Sequence, residues 1–382
     1  MSFEFISAGK IVFGCGKAAA LPSLCRPLGR HFLVVSDTAL DSTGLPGRIC
    51  DALHSAGIKV TAFSRVSGEP TVDLVEEAVA LARASGCDAM LGIGGGSSID
   101  TTKAAAAMLR NKGDLVDYLE GVGKGLTLSN DPAPFVAVPT TAGTGAEVTK
   151  NAVIASHERK FKRSLRDERM LANVALVDPE LTVTAPPTVT AYSGMDALTQ
   201  LIESYVSRKS NPMTDALAES GMARAARSLR RAYRDGGDLD ARSGMAYASL
   251  LSGLCLANSG LGADHGIAAA LGACAGVPHG LACAVLLPHV MAYNAPHIGG
   301  KLTVIARLLT GRCDIADSDA IRAVTDYLFE LARDLNIPPD FRHLGLAGRG
   351  EELLAACSTS SMRGNPVDMS QQDTLDLINS LL

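Results

Sequence analysis

DAMLGIGGGSSIDTTK, residues 88–103, decides how the first half of the chain folds. Its opening is a short apolar run, the mark of a buried strand, and it enters three consecutive glycines. The following SIDTTKAAAAML (98–109) is Ala-rich and helical. A strand that turns through glycines into a helix brings the backbone close to a ligand. The helix start then offers unpaired N–H groups to an anion. Gly95, Gly96 and Ser97 therefore read as a pyrophosphate seat, the alternative being a tight strand-to-helix turn with no ligand. The stretch is neither G-x-G-x-x-G nor a P-loop, since Gly-Lys-Ser/Thr is missing.

The same alternation extends outward. HFLVVSD (31–37), KVTAFSRV (59–66) and FVAVPTT (135–141) read as strands. GRICDALHSAG (47–57) and DLVEEAVALARASG (73–86) read as helices, the second closed by Gly86. Strands alternating with helices predict a mostly parallel sheet covered on both faces. After VALVDPELTVTAPP (174–187) the strand signals mostly stop. Helical patterns follow at 188–208, 212–234, 243–260, 263–275, 279–296, 299–309 and 318–335. Pro186-Pro187 marks the boundary, giving an α/β domain over 1–186 and an all-α domain over 187–382.

Composition narrows the function classes. The chain has 382 residues, a formal charge of −5, 47% hydrophobic residues and no Trp. That length suits about two domains. There is no basic run, hence no electrostatic footprint for nucleic acid. No apolar stretch approaches the ~18 residues of a membrane span. The N-terminal MSFEFISAGK carries Glu4 and does not read as a signal peptide. Nine cysteines at scattered spacings, without a C-x-x-C pair, read as reduced thiols of a cytoplasmic protein.

Further residues carry candidate chemistry. PTTAGTGAEVT (139–149) is a second polar, glycine-rich loop after a strand, and its Thr140 and Thr141 suit ribose, phosphate or a nicotinamide amide. Asp37 ends a strand, where an acid accepts from a ribose hydroxyl and repels a 2′-phosphate, or simply caps a turn. Gly14 and Gly16 in IVFGCG give a weaker loop signal. Asp196 and Gln200 stand four apart on a predicted helix and share one face. His265 and His279 lie fourteen residues apart, each at a helix start. Two histidines and a carboxylate on converging helices suit a divalent metal, although a histidine there also serves as a cap or a satisfied core residue.

Together GGGSSIDTTK, PTTAGTGAEVT, GMDALTQLIESYVS (194–207) and the segment from DHG (264–266) through PHGLACAVLLPHVMAYN (278–294) resemble the iron-containing (group III) alcohol dehydrogenase family. The resemblance runs in order from IVFGCG (11–16) to Asn365-Pro366, nearly the whole chain. It implies a Rossmann-like dinucleotide-binding α/β domain followed by an all-α domain, the fold shared with dehydroquinate synthases. It implies hydride transfer between NAD, rather than NADP, and a small alcohol or aldehyde. Gly95, Gly96, Ser97 and Asp100 fall on the pyrophosphate motif, Thr140 and Thr141 on the threonine pair, and Asp37 on the acid that favours NAD. The cofactor lysine falls on Lys162, with Lys160 close enough to confuse the register. The metal ligands fall on Asp196, Gln200, His265 and His279, for Fe(II) or Zn(II). His265, His279 and Asp196 are thereby also the implied catalytic residues. A homodimer is the family expectation.

Two positions depart from the pattern. Gln200 stands where the family has His, and Ala269 where many members carry a further active-site His. Gln offers an amide oxygen, neutral like imidazole but a weaker donor. The two departures motivate the alternative of a metal-independent NAD(P)H-dependent reductase on the same scaffold, similar to maleylacetate reductases. A dehydroquinate synthase-like lyase is a further, less supported alternative. The physiological substrate is not legible.

Overall fold

Six parallel strands form the sheet that the alternation predicts. The computed structural model describes residues 2–156, 158–159, 161–357 and 359–382. The first part of the chain runs through β1 (Ile11–Phe13), α1 (Leu21–Cys25), β2 (His31–Asp37), α2 (Leu45–Ser55), β3 (Lys59–Val66), α3 (Val72–Ser85), β4 (Ala89–Gly94), α4 (Gly96–Arg110) and β5 (Phe135–Pro139). It continues through β6 (Asn151–Ser156), β7 (Phe161–Arg166) and β8 (Val174–Val177). The sheet order is β1-β8-β5-β4-β2-β3. Every residue of β4 and β5 is buried, because helices cover both faces of a parallel sheet. Phe32, Val34, Leu91, Ile93, Val136 and Leu176 form one core layer with Leu45, Ile49 and Leu53 of α2.

Topology selects one end of this sheet for binding. From β2 the chain moves outward to β3, then returns to lay β4 along the other side of β2 and continues to β5. The connections leaving β2 and β4 thus diverge, and such a switch point opens a crevice at the carboxyl ends of its strands. Ser36 pairs with Ile93, so Asp37 and Gly94 end neighbouring strands. A Cβ on Gly94 would come 3.6 Å from that of Asp37.

The antiparallel hairpin of β6 and β7 was not anticipated from the sequence. In β7, FKRSLR, only Leu165 is buried, so no apolar pattern announces a strand. The hairpin is fastened to α4 instead. Val153 N–H donates to Asp100 Oδ2 at 2.9 Å. The Lys103 ammonium, also buried, donates to Thr149 Oγ1 at 2.9 Å and pairs with Asp100 at 3.0 Å.

The chain divides into two compact units, one comprising 6–141 and 145–184, the other 1–5, 142–144 and 185–382. The second unit is helical: α5 (Pro187–Val206), α6 (Pro212–Arg234), α7 (Leu239–Ser259), α8 (Ala263–Ala275), α9 (His279–Asn294), α10 (Gly300–Thr310) and α11 (Ala320–Asp334). Three shorter helices, unread in the sequence, follow: α12 (Gly350–Ala356), α13 (Thr359–Met362) and α14 (Gln371–Leu381). Pro187 opens α5 and Pro212 opens α6, where a missing N–H costs nothing. Asn211 and Thr214 add a capping box to α6. All of 194–206 in α5 is buried, so this helix is surrounded on every side. Each Leu or Ile it buries contributes roughly 1.5–3 kcal/mol. Among the described residues, no helix is long and apolar enough to cross a membrane.

Candidate active site

In the α/β unit, the sequence-selected residues gather at the carboxyl ends of β2, β4 and β5. Gly94 has φ +146, and a Cβ there would overlap the Ser98 side chain. Glycine is therefore required for α4 to begin so soon after the strand. Gly95 is the N-cap residue and brings no side-chain cap. The first helical bond is Ile99 N–H to Gly95 O at 3.2 Å, so the N–H groups of residues 96–98 have no acceptor within the helix. Gly95, Gly96 and Ser97 are half-buried, within reach of a ligand. Thr140 N–H donates to Gly94 O at 2.9 Å, tying the second loop to the first. Asp37 Oδ1 accepts from Ala39 N–H at 2.8 Å and caps a short 3-10 turn.

Two other residues assigned to the cofactor are engaged within the protein. Asp100 fastens the hairpin, as described above. Lys162 sits on β7 in an ion pair with Glu69 at 2.6 Å. Lys160 lies outside the described residues, as does His157.

The helical unit brings Asp196, Gln200, His265 and His279 together, although three helices carry them. Asp196 Oδ1 lies 3.2 Å from His265 Nε2 and 3.7 Å from His279 Nε2. Gln200 Nε2–H donates to the same Asp196 oxygen at 3.2 Å, and Gln200 Oε1 is buried with no hydrogen-bond partner. Cys283, one turn beyond His279 on α9, joins them. Its sulfur is 3.8 Å from both His265 Nε2 and His279 Nε2. One donor atom each from Asp196, His265, His279 and Cys283 lies within 4.8 Å of the others. This donor chemistry fits a divalent transition metal.

Close packing sets those distances. A Cβ on Gly280 would overlap the Tyr192 carbonyl of α5, so glycine lets the start of α9 press against α5 and delivers His279 beside Asp196. A Cβ on Gly262 would come 2.8 Å from both Glu203 Oε1 and Asn365 Oδ1. These two side chains cap α8 from a distance. Glu203 Oε1 accepts Asp264 N–H at 2.7 Å, and Asn365 Oδ1 accepts Ala263 N–H at 3.2 Å. Glu203 Oε2 meets His265 Nδ1 at 2.7 Å and so turns Nε2 of that ring toward Asp196.

The pocket favours positive charge. Burial opposes ionisation of Asp196, but the hydrogen bond and charge of His265, with His279 and Gln200, hold its carboxyl below the usual range. Burial also opposes charge on His265, yet Cys283, Asp196 and Glu203 outweigh it and raise the imidazole well above its ordinary value. Burial, with Glu203 adding repulsion, pushes the Asp264 carboxyl well up. Burial does the same to the Cys283 thiol.

Sequence reasoning missed Glu203, Asp264 and Cys283. A signal existed for two of them. Glu203 continues the 196–200 face by a further turn, and Cys283 follows His279 at i+4. Asp264 had only its place beside His265. Elsewhere His289 packs edge-on against Phe329 at 5.5 Å, a structural role.

Both halves of the chain match known proteins. Residues 8–179 match the family described as iron-containing alcohol dehydrogenase, and residues 190–382 match the C-terminal region of the Fe-containing alcohol dehydrogenase family. Lactaldehyde reductase of Escherichia coli K12 is 36% identical over 375 residues, covering 96% of each chain. A crystal structure of 1,3-propanediol oxidoreductase superposes with a TM-score of 0.94 at 34% identity, covering 100% of both chains. A sulfoacetaldehyde reductase from Bifidobacterium kashiwanohense, solved with NAD+, superposes at 0.90 with 27% identity, covering 100% of this chain and 99% of its own. With both halves matched and the donor cluster in place, the chain belongs to the iron-containing alcohol dehydrogenase family and is an oxidoreductase of the class acting on CH–OH donors.

Proposed function

We propose that this chain interconverts a small alcohol and its aldehyde with NAD(H), using a divalent metal held in the helical unit. The observation that carries the proposal is the convergence of Asp196, His265 and His279 from α5, α8 and α9. These three would hold Fe(II) or Zn(II), with Gln200 and Cys283 both at hand as a further donor. When bound, the metal supplies Lewis-acid polarisation of the substrate oxygen. The nicotinamide supplies the hydride acceptor or donor.

The chain's own residues bind and orient. The opening turn of α4, with Gly95, Gly96 and Ser97, receives the pyrophosphate. Thr140 and Thr141 offer hydroxyls at the neighbouring strand end. Asp37 accepts from the adenosine ribose and repels a 2′-phosphate, favouring NAD. Lys162 would contact the cofactor only by leaving Glu69, and Asp100 acts by holding the hairpin against α4. Glu203 fixes the ring of His265, while Gln200 holds Asp196.

The metal-independent alternative rested on Gln200 and Ala269 and is not favoured. The cluster retains three imidazole or carboxylate donors and gains a thiol. Nine free cysteines support a reducing, cytoplasmic setting. β1 at the sheet edge supports pairing of two copies into a homodimer, which light scattering tests. For the activity itself, His265→Ala and His279→Ala should each abolish most turnover with primary alcohols while NAD binding persists. Wild-type turnover in both variants would sink the reading.

A further inference from the structure

We propose that Cys283, rather than Gln200, supplies the fourth protein donor to the metal, giving an Asp-His-His-Cys site. The inference rests on the reading of this cluster as a metal seat and concerns which atoms complete it. Its basis is spacing. A tetrahedral ion places nitrogen and oxygen donors roughly 3.4 Å apart, and sulfur roughly 3.6 Å from nitrogen, given bonds of about 2.0–2.1 Å and about 2.3 Å. Asp196 Oδ1 lies 3.2 Å from His265 Nε2 and 3.7 Å from His279 Nε2. Cys283 Sγ lies 3.8 Å from each of those nitrogens. Four of the six separations among these atoms are thus close to the edges of such a coordination shell, and all six lie within 4.8 Å.

Gln200 is turned to a different task. Its amide nitrogen donates to Asp196 Oδ1, the carboxylate atom nearest both histidines. That bond orients Asp196 and points the amide N–H, which cannot ligate a cation, at the cluster, while the amide oxygen Oε1 is buried without a hydrogen-bond partner. Metal uptake releases the thiol proton to solvent, so one sulfur–hydrogen bond is exchanged for one sulfur–metal bond. A thiolate also draws the site toward Zn(II), the softer partner.

The test is Co(II) loading of the metal-free full-length protein, followed by near-ultraviolet and visible absorption. Wild type and Gln200→Ala should both show a thiolate-to-cobalt charge-transfer band. Cys283→Ser should lose that band, retain the visible ligand-field bands, and bind Zn(II) at least roughly tenfold more weakly in a chelator competition. X-ray absorption of the wild-type zinc protein requires no variant and should show one sulfur at about 2.3 Å. One cobalt per chain without the charge-transfer band, or zinc without a sulfur neighbour, overturns the Cys283 assignment while leaving the metal seat standing. No stoichiometric metal uptake, with His265→Ala indistinguishable from wild type, overturns both.

Discussion

His265 Nδ1 lies 2.7 Å from Glu203 Oε2, and the other oxygen of that carboxylate accepts the Asp264 N–H at 2.7 Å. One buried acid thus fixes both the backbone and the ring that α8 presents to the donor cluster. Glu203→Gln keeps the volume and one acceptor but weakens the grip on the imidazole. Metal affinity should fall by roughly 10–100-fold, the usual cost of losing the partner behind a ligating histidine. Chelator competition measures this. An unchanged affinity accompanied only by a lower Tm would reduce Glu203 to a helix cap.

Gly280 is the contact that seats α9 on α5. Gly280→Ala places a methyl on the Tyr192 carbonyl and forces the start of α9 outward. Overpacking of this kind costs about 1–3 kcal/mol. The displacement also carries His279 away from Asp196, so metal occupancy should drop more steeply than stability. Denaturation and metal analysis of the same sample separate the two effects, and full occupancy in the variant refutes the seating argument.

Asp37→Ser separates charge from capping, because serine still caps a turn. The half-exposed carboxylate acts through solvent-screened repulsion, so the preference for NAD over NADP should fall roughly tenfold with little change in Tm. Dissociation constants for both dinucleotides give the ratio. A ratio that does not move would leave Asp37 as a turn residue.

Glu147, buried in the second glycine-rich loop, should make stability depend on pH. Burial raises its carboxyl from 4.5 to about 7, against the opposing effects of its own backbone hydrogen bond and the Lys103 charge. The folded protein therefore holds a proton that the unfolded chain releases. This contribution is fully present below about pH 4.5 and is lost as pH rises through about 7. Glu147→Gln cannot ionise, so it should be more stable than wild type at pH 8, by at most about 3 kcal/mol, and gain little at pH 5. Denaturant titrations across this range test the sign. A gain that is the same at both pH values removes the linkage.

The parallel sheet and the helical second half were legible because burial on both faces leaves near-continuous apolar runs such as HFLVVSD and AMLGIG. The hairpin β6–β7 was not, since FKRSLR is cationic and buries only Leu165. Asp100, placed by GGGSSIDTTK near a ligand, also holds Val153 and Lys103, a role that the local pattern does not show. Asp196, Gln200, His265 and His279 were named from the sequence through their resemblance to a family pattern, and spacing by itself did not unite them.

The class of fold, the glycine turn into α4 and a pool of donors spread from residue 196 to residue 283 can all be read along the chain. Periodicity and backbone sterics are local, so they survive in a linear reading. Which donors meet depends on how the helices pack. Gly280 against Tyr192 and Gly262 against Glu203 set helix-to-helix distances, and those distances admit Cys283 to the cluster and turn Gln200 toward Asp196. A metal seat depends on separations of a few ångströms between helices distant in the chain, and close packing fixes these through contacts that no local pattern encodes.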